Sequence, residues 1–276
     1  MDQNWIVENL NNAFSTWNDK LSELWSLVTT SPATFKGGAV WGVMQTIHGT
    51  MLAVGYALVI LFFAMSLCKN TANFHELKRP EAALHYLIRF VAAKAAVGYG
   101  MNIMLKVFEV CNGIVSEMAS SMGGISQAMV SLPGEVQTAI ENVGFLASIP
   151  LWLVTILGSL FITVLSFIMI LTVYGRFFRL YMYTALAPIP LATFAGDSTQ
   201  SVGIAFLKTY VGVCMEGAVI VLACIIYAGF VGTPAVASGE ATTMVWSYLA
   251  ETVFNMLVLV GLIKGSDRII HEMMGL

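Results

Sequence analysis

The chain has 276 residues, of which 58% are apolar and only 11% are charged, whereas about a quarter of an average soluble domain is charged. This composition excludes an ordinary soluble globular protein. The formal net charge of −3 gives no strongly basic surface, so we do not expect the chain to grip nucleic acid through a basic patch. The apolar residues lie in long uninterrupted runs, which predict an all-α integral membrane protein with several transmembrane helices.

The first 36 residues predict an N-terminal amphipathic helix. Apolar side chains recur every three or four residues from Ile6 to Val28, while Glu8, Asn11 and Ser15 lie on the opposite face. Two interpretations fit this pattern. The helix lies in the membrane interface as an amphipathic anchor, or it docks on a neighbouring subunit.

Five hydrophobic segments within residues 37–263 predict a helical bundle of about five transmembrane helices. The segments are residues 37–68, 84–111, 142–175, 209–231 and 243–263. The first and third are uncharged for 32 and 34 residues, which is ample for a hydrocarbon core of about 30 Å at about 1.5 Å per residue. The second carries Arg89, Lys94, Lys106 and Glu109, so it crosses only if these side chains snorkel or face protein.

Between and after these spans, two segments are expected outside the hydrocarbon core. Residues 112–141 are rich in Gly, Ser and Met and contain no Lys or Arg, which predicts an exposed extracytoplasmic loop. Residues 264–276 are predicted to form a short amphipathic tail at the interface.

Residues 180–196 form a short apolar segment that two prolines interrupt. Pro188 and Pro190 each remove a backbone donor, and each ring clashes with the preceding helical turn. Irregular backbone at membrane depth occurs only where protein or a watery cavity covers it. We therefore predict a re-entrant or broken element packed inside the bundle.

The distribution of basic residues predicts the topology. With five spans and an outside N-terminus, the inside segments hold ten basic residues and the outside segments hold only Lys20 and Lys36. If residues 180–196 crossed as a separate span, the bias would almost vanish. Because basic loops stay cytoplasmic, the sequence favours an outside N-terminus and a cytoplasmic C-terminus.

Two acidic residues, Glu216 and Glu251, fall within predicted spans. Ser247, Glu251 and Asn255 form a polar stripe, which is typical of interhelical packing. The alternative is a secondary transporter or ion channel, in which Glu216 and Glu251 form a proton or ion path with Arg89 or Lys94. No repeat of the proline-broken segment occurs elsewhere in the sequence to support such a transporter.

The sequence gives no indication of an enzyme. It lacks a G-x-S-x-G nucleophile elbow, a G-x-x-x-x-G-K phosphate loop and a complete H-E-x-x-H zinc motif. We therefore predict no catalytic, cofactor-binding or metal-binding residues and no cofactor.

The most specific stretch is residues 176–228. It contains Arg-x-x-Arg-Leu-Tyr from Arg176, the break Ala-Pro-Ile-Pro-Leu-Ala, a polar turn, Phe-Leu-Lys and a glutamate-bearing span in succession. This order resembles the TrbL-like polytopic membrane subunit of conjugative type IV secretion systems, especially the versions on mobile elements of Gram-positive bacteria. The resemblance covers most of the chain in layout and about 50 residues in detail.

The resemblance implies a non-enzymatic channel or scaffold subunit in the cell membrane that supports transfer of DNA and protein. Its implied partners are conjugation ATPases, bitopic scaffold proteins, membrane lipid and further copies of itself around the channel axis. By position it implies structural or assembly roles for a set of residues, to which Glu251 is added from its place within a span: Arg176, Arg179, Pro188, Pro190, Glu216 and Glu251.

Overall fold

The computed structural model describes residues 4–71, 80–121, 128–143, 145–231 and 241–275. In these residues every regular element is helical and no β-strand occurs. The predicted all-α fold is therefore confirmed. The α-helices are α1 Asn4–Thr29, α2 Ala39–Thr71, α3 Pro80–Gly98, α4 Gly100–Ser121, α5 Gly134–Glu141, α6 Phe145–Leu186, α7 Pro188–Ala192, α8 Gln200–Val231 and α9 Ala241–Met274, with 3₁₀ turns at Phe35–Gly38 and Thr193–Ala195.

Four helical stretches of the described chain are long and apolar enough to cross a membrane. They are Phe35–Lys69, Ile149–Leu186, Gln200–Gly229 and Thr243–Met274. Each contains one of the predicted spans or most of it. A polytopic membrane bundle is the fold that such a set of helices defines.

The remaining predicted span, 84–111, is divided between α3 and α4 at Tyr99. Because of its charged side chains, α3 and α4 are less apolar than the four helical stretches that could cross a membrane by length and composition. The backbone nevertheless stays hydrogen-bonded across the junction, because Tyr99 N–H donates to the Ala95 carbonyl and Ile103 N–H donates to the Tyr99 carbonyl. The helical path is therefore continuous, and the crossing of this segment stays a prediction.

Two helices continue past the bounds of the predicted spans. Helix α6 does not close at Gly175 but continues through Arg176 and Arg179 to Leu186, because groups on other helices neutralise or accept from both guanidinium groups. The tail 264–276 is likewise not a separate helix, since α9 runs without interruption to Met274. It ends where Gly275 adopts a positive φ of 65°.

The structure divides into two compact units. Unit 1 comprises Met1–Thr29, Val115–Gly175 and Gly217–Ser266, of which residues 1–3, 122–127, 144 and 232–240 lie outside the described parts. Its core holds the apolar face of α1, where Leu10, Trp17 and Leu21 are fully buried. The amphipathic helix is thus present, but its apolar face is covered by the same chain. This differs from both interpretations of the sequence, which assigned that face to lipid or to another subunit.

Aromatic and polar contacts hold α1 within unit 1. The rings of Phe14 and Tyr248 meet edge to face at 6.4 Å between centroids. The Asn18 amide donates to the Val130 carbonyl at 2.8 Å and accepts from the Val130 N–H at 2.9 Å. Because Asn18 pairs with residues after α4, the predicted exposed connection 112–141 is anchored to α1.

The described part of 112–141, predicted as an exposed connection, is largely helical and buries some of its apolar side chains. Helix α4 extends to Ser121, and α5 buries Val136 and Ile140 completely. The segment contains enough apolar residues at helical spacing to bury one helical face. Its high content of Gly, Ser and Met made this spacing hard to see in the sequence. Residues 122–127 lie outside the described chain.

Unit 2 comprises Thr30–Ile114, Arg176–Glu216 and Asp267–Leu276, of which residues 72–79 and 276 lie outside the described parts. Its core is built from α2, α3, the first turns of α4, the segment around α7 and the first half of α8. Fourteen buried residues form this core: Val59, Ala93, Val97, Met104, Phe108, Cys111, Leu180, Ala187, Leu191, Ala192, Ala195, Tyr210, Val213 and Cys214. The proline-broken segment therefore lies in the centre of the packing of unit 2.

Candidate functional site

An ion-pair cluster in unit 2 joins three long helices. Arg179 of α6 donates through Nη2 to both carboxylate oxygens of Glu216 on α8, at 2.6 and 2.8 Å. Its Nη1 donates to Oδ1 of Asp267 on α9 at 2.5 Å. The Glu216 side chain is only 2% exposed, whereas that of Asp267 is 46% exposed. A buried carboxylate in an apolar helix requires such a partner, because an isolated charge there is costly.

Arg176 lies one turn earlier on α6 and is fully buried. Its Nε donates to the Val213 carbonyl at 3.2 Å, and its Nη2 donates to the Cys214 carbonyl at 3.0 Å. The guanidinium carbon also lies 5.9 Å from the centre of the Phe108 ring, a cation–π distance. The planar fork of arginine suits this set of carbonyl and aromatic partners, which a lysine could not satisfy.

The second part of the site is the broken segment, which we define as residues 187–196. Helix α6 ends at Leu186, and a five-residue helix then begins at Pro188. A Cβ atom at Gly55 of α2 would lie 2.9 Å from Cβ of Pro188 and 3.0 Å from its carbonyl oxygen. Only glycine therefore permits α2 to approach the break this closely.

Arg89 of α3 fixes the end of the broken segment. Its Nε donates to the Phe194 carbonyl at 2.9 Å, and its Nη2 donates to the Gly196 carbonyl at 3.1 Å and to Gln200 Oε1 at 2.8 Å. The same guanidinium forms an ion pair with Asp197. Arg89 thus gives the Phe194 carbonyl a donor at the end of the 3₁₀ turn and adds one to the Gly196 carbonyl, which also accepts from the Gln200 N–H at 3.1 Å.

The chain from Tyr181 to Asp197, which includes the broken segment, runs beside α2. The ring of Tyr181, just before the break, lies 6.2 Å from that of Trp41, and Pro188 lies against Gly55. Beyond the break, Ser66 Oγ donates to Asp197 Oδ2 at 3.2 Å. These contacts advance in one direction along α2 for about 25 residues, or about 37 Å. The helix is interrupted between Leu186 and Pro188, and the segment runs beside α2 as a continuation of α6 instead of turning back.

The structure brings together only part of the predicted set of site residues. Arg176, Arg179 and Glu216 lie within the same cluster, and Pro188 and Pro190 lie in the broken segment. Glu251 belongs to unit 1 and is exposed, with no pairing partner seen among the described residues. Arg89, which the transporter alternative paired with the acids, contacts the broken segment.

Sequence reasoning missed three residues that shape this site. Gly55 lies in an uncharged span, where nothing marks it as a neighbour of Pro188. Asp197 and Asp267 lie in polar turns or near a helix end, where acidic residues are ordinary. The available signal was the proline itself, which predicts an unpaired carbonyl four residues earlier but not the residue that satisfies it.

Taken by fold and site, the chain is a polytopic all-α membrane protein whose internal charges are used for packing between helices. The family described as TrbL/VirB6 plasmid conjugal transfer like protein matches residues 17–188, which is more than half of the chain. The chain therefore belongs to the TrbL/VirB6 family of conjugal transfer proteins. Comparison with curated proteins and with solved structures gave no match. The matched region includes Arg176, Arg179 and Pro188, whereas Pro190, Glu216 and Glu251 lie beyond it.

Proposed function

We propose that the protein is a non-enzymatic channel or scaffold subunit of a conjugative type IV secretion system in the cell membrane. The observation that carries this proposal is the family match over residues 17–188. The ATP-driven work belongs to partner ATPases, and bitopic scaffold proteins hold the subunit in the complex. The subunit contributes a membrane framework through which DNA and protein pass without a basic DNA-gripping surface.

Exposed apolar side chains along α6 support assembly with other protein chains. They recur along one stripe of the helix: Ile149, Leu153, Leu157, Leu160, Val164, Phe167, Leu171, Phe178, Met182 and Leu186. The stripe is about 56 Å long at about 1.5 Å per residue. A hydrocarbon core of about 30 Å covers only about 39 Å of a helix tilted by about 40°. Copies of this chain or other secretion subunits are the proposed cover for the apolar side chains that lie beyond the hydrocarbon core.

The proposed mechanical element is the broken segment. Its backbone lacks two helical donors at Pro188 and Pro190, so it can rearrange at lower cost than a continuous helix. Replacing both prolines with Ala favours a continuous helix, because a proline in a helix interior costs about 3 kcal/mol. The break should then form much less often. We expect DNA transfer from a complemented deletion strain to fall by about tenfold or more.

The matched control is Pro150→Ala, which removes the proline near the start of the same helix and should leave the mating frequency unchanged. Membrane fractions must contain the double variant in wild-type amounts, and a C-terminal tag must still retain the secretion ATPase. Full transfer by a normally inserted double variant would contradict the proposed role of the break.

We further propose five crossings, with the N-terminus outside and the C-terminus in the cytoplasm. The helical path through α6, Ala187 and α7 supports five crossings. Ala187 keeps helical dihedral angles, so α6 and α7 together count as one crossing and not two. Tags at the two termini of the full chain should differ in intact cells, with the N-terminal tag open to added protease and the C-terminal tag protected. Equal protection of both tags would contradict an odd number of crossings.

A further inference from the structure

The carbonyl of Thr184 lacks its α-helical donor. In an α-helix it would accept from the N–H of residue 188, but Pro188 has none. The backbone is otherwise helical here, because Ala187 has φ −49° and ψ −37° and Leu191 N–H donates to the Ala187 carbonyl at 3.1 Å. The missing hydrogen bond is therefore due to the proline ring alone.

His48 of α2 occupies the position of that donor. Its Nδ1 lies 2.8 Å from the Thr184 carbonyl oxygen, and its side chain is buried. A carbonyl only accepts, so Nδ1 carries the proton and the ring is the Nδ1–H tautomer. Its Nε2 is buried and has no hydrogen-bond partner among the residues that the structure describes.

The surroundings of the ring leave little room for a ligand at Nε2. A Cβ atom at Gly100 of α4 would lie 3.4 Å from Cε1 of His48 and 3.7 Å from its Nε2. A metal centre at this position would also need further ligands, and the described residues contain no group of metal-ligating side chains. The hydrogen bond to Thr184 is thus the polar contact that the ring makes.

We infer that His48 is a positioning residue that supplies, from α2, the hydrogen bond that Pro188 removes from α6. Its hydrogen bond joins α2 to Thr184, three residues before Ala187. The imidazole N–H replaces the backbone N–H that a non-proline residue would have at position 188. The hydrogen bonding of the break therefore depends on α2. This inference concerns the fold of unit 2 and stands independently of the proposed function.

Two amide substitutions separate this role from simple packing. The Nδ2 of Asn corresponds in reach to Nδ1 of His, whereas the Nε2 of Gln corresponds to Nε2 of His. We expect His48→Asn to keep the wild-type melting temperature of the full-length protein in mild detergent. We expect His48→Gln and His48→Leu to lower it by about 2 to 4 °C, as for the loss of one buried hydrogen bond.

The decisive measurement combines His48→Leu with Pro188→Ala. Alanine at 188 restores the N–H that donates to Thr184, so the histidine is no longer needed. The loss caused by His48→Leu should disappear in the Pro188→Ala background, which gives a double-mutant coupling equal to the whole single effect. If His48→Leu alone fails to fold, recovery of folded protein in the double variant is the same expected result.

Two outcomes would overturn the inference. The first is an equal loss for His48→Leu with and without Pro188→Ala, which would assign the ring to packing alone. The second is a His48→Leu protein as stable as wild type. Melting temperature reports the positioning role, whereas mating frequency reports the proposed function, so failure of one is distinguishable from failure of the other.

Discussion

Replacing Arg179 with Met should destabilise the protein by about 3 to 5 kcal/mol, the usual cost of removing one partner from a buried ion pair. The reason is the Glu216 carboxylate, which is 2% exposed and accepts both of its hydrogen bonds from Arg179. The melting temperature of the purified full-length chain should fall on the order of 10 °C. Circular dichroism during heating in mild detergent measures this change.

The double variant Arg179→Met with Glu216→Leu provides the control. Apolar residues of similar size often replace a buried ion pair without loss, so most of the stability should return. Asp267 tolerates the loss of Arg179 because its side chain is half exposed. Glu251→Gln, which changes an exposed acid in unit 1, should have almost no effect. A double variant as unstable as Arg179→Met would show that the arginine acts through something other than Glu216.

Replacing Arg89 with Met should cost about 2 to 3 kcal/mol, because hydrogen bonds to charged groups contribute about 1.5 to 3 kcal/mol each and this side chain keeps some solvent contact. The variant removes the Arg89 donors from the carbonyls of Phe194 and Gly196, of which Gly196 keeps the Gln200 N–H as a backbone donor. Limited proteolysis should consequently cut the full-length protein faster near residue 196, at the end of the broken segment.

The conservative variant and a neighbour on the same helix complete this experiment. Arg89→Lys should recover only part of the stability, since one ammonium group cannot reach the four acceptors that the planar fork contacts. Lys94→Met removes an exposed charge five residues further along α3 and should change neither stability nor cleavage. Equal effects of Arg89→Met and Lys94→Met would contradict the assigned contacts.

The fold class could be predicted because it depends on local properties. An uncharged run of 32 residues such as 37–68 satisfies its backbone only as a helix in lipid, whatever the rest of the chain does. The break at Pro188 was equally local, since the ring removes a donor in any context. The ends of the helices, in contrast, could not be predicted from local sequence. Arg176 and Arg179 interrupt the apolar pattern, and only their partners on α8 and α9 show why α6 continues past them.

The site was predicted in part for the same reason. Glu216 was singled out as an acid within a predicted span, and Arg179 because the family resemblance implied a structural role for it; the structure joins them. Asp267 was missed because it lies 88 residues from Arg179 and has no distinctive local pattern. Glu216 and Glu251 looked equivalent in the sequence, yet one is buried and the other exposed. Such burial depends on tertiary packing, which spacing along one helix does not contain.

The three charged partners are synthesised one after another, in the order Arg179, Glu216 and Asp267. Arg179 is synthesised 37 residues before Glu216 and 88 residues before Asp267. At about 5 to 20 residues per second, the ribosome needs about 4 to 18 seconds to complete the triad. Arg179 can pair with Glu216 only once α8 has been made, and a chain that stops before α8 lacks the buried carboxylate that this arginine contacts.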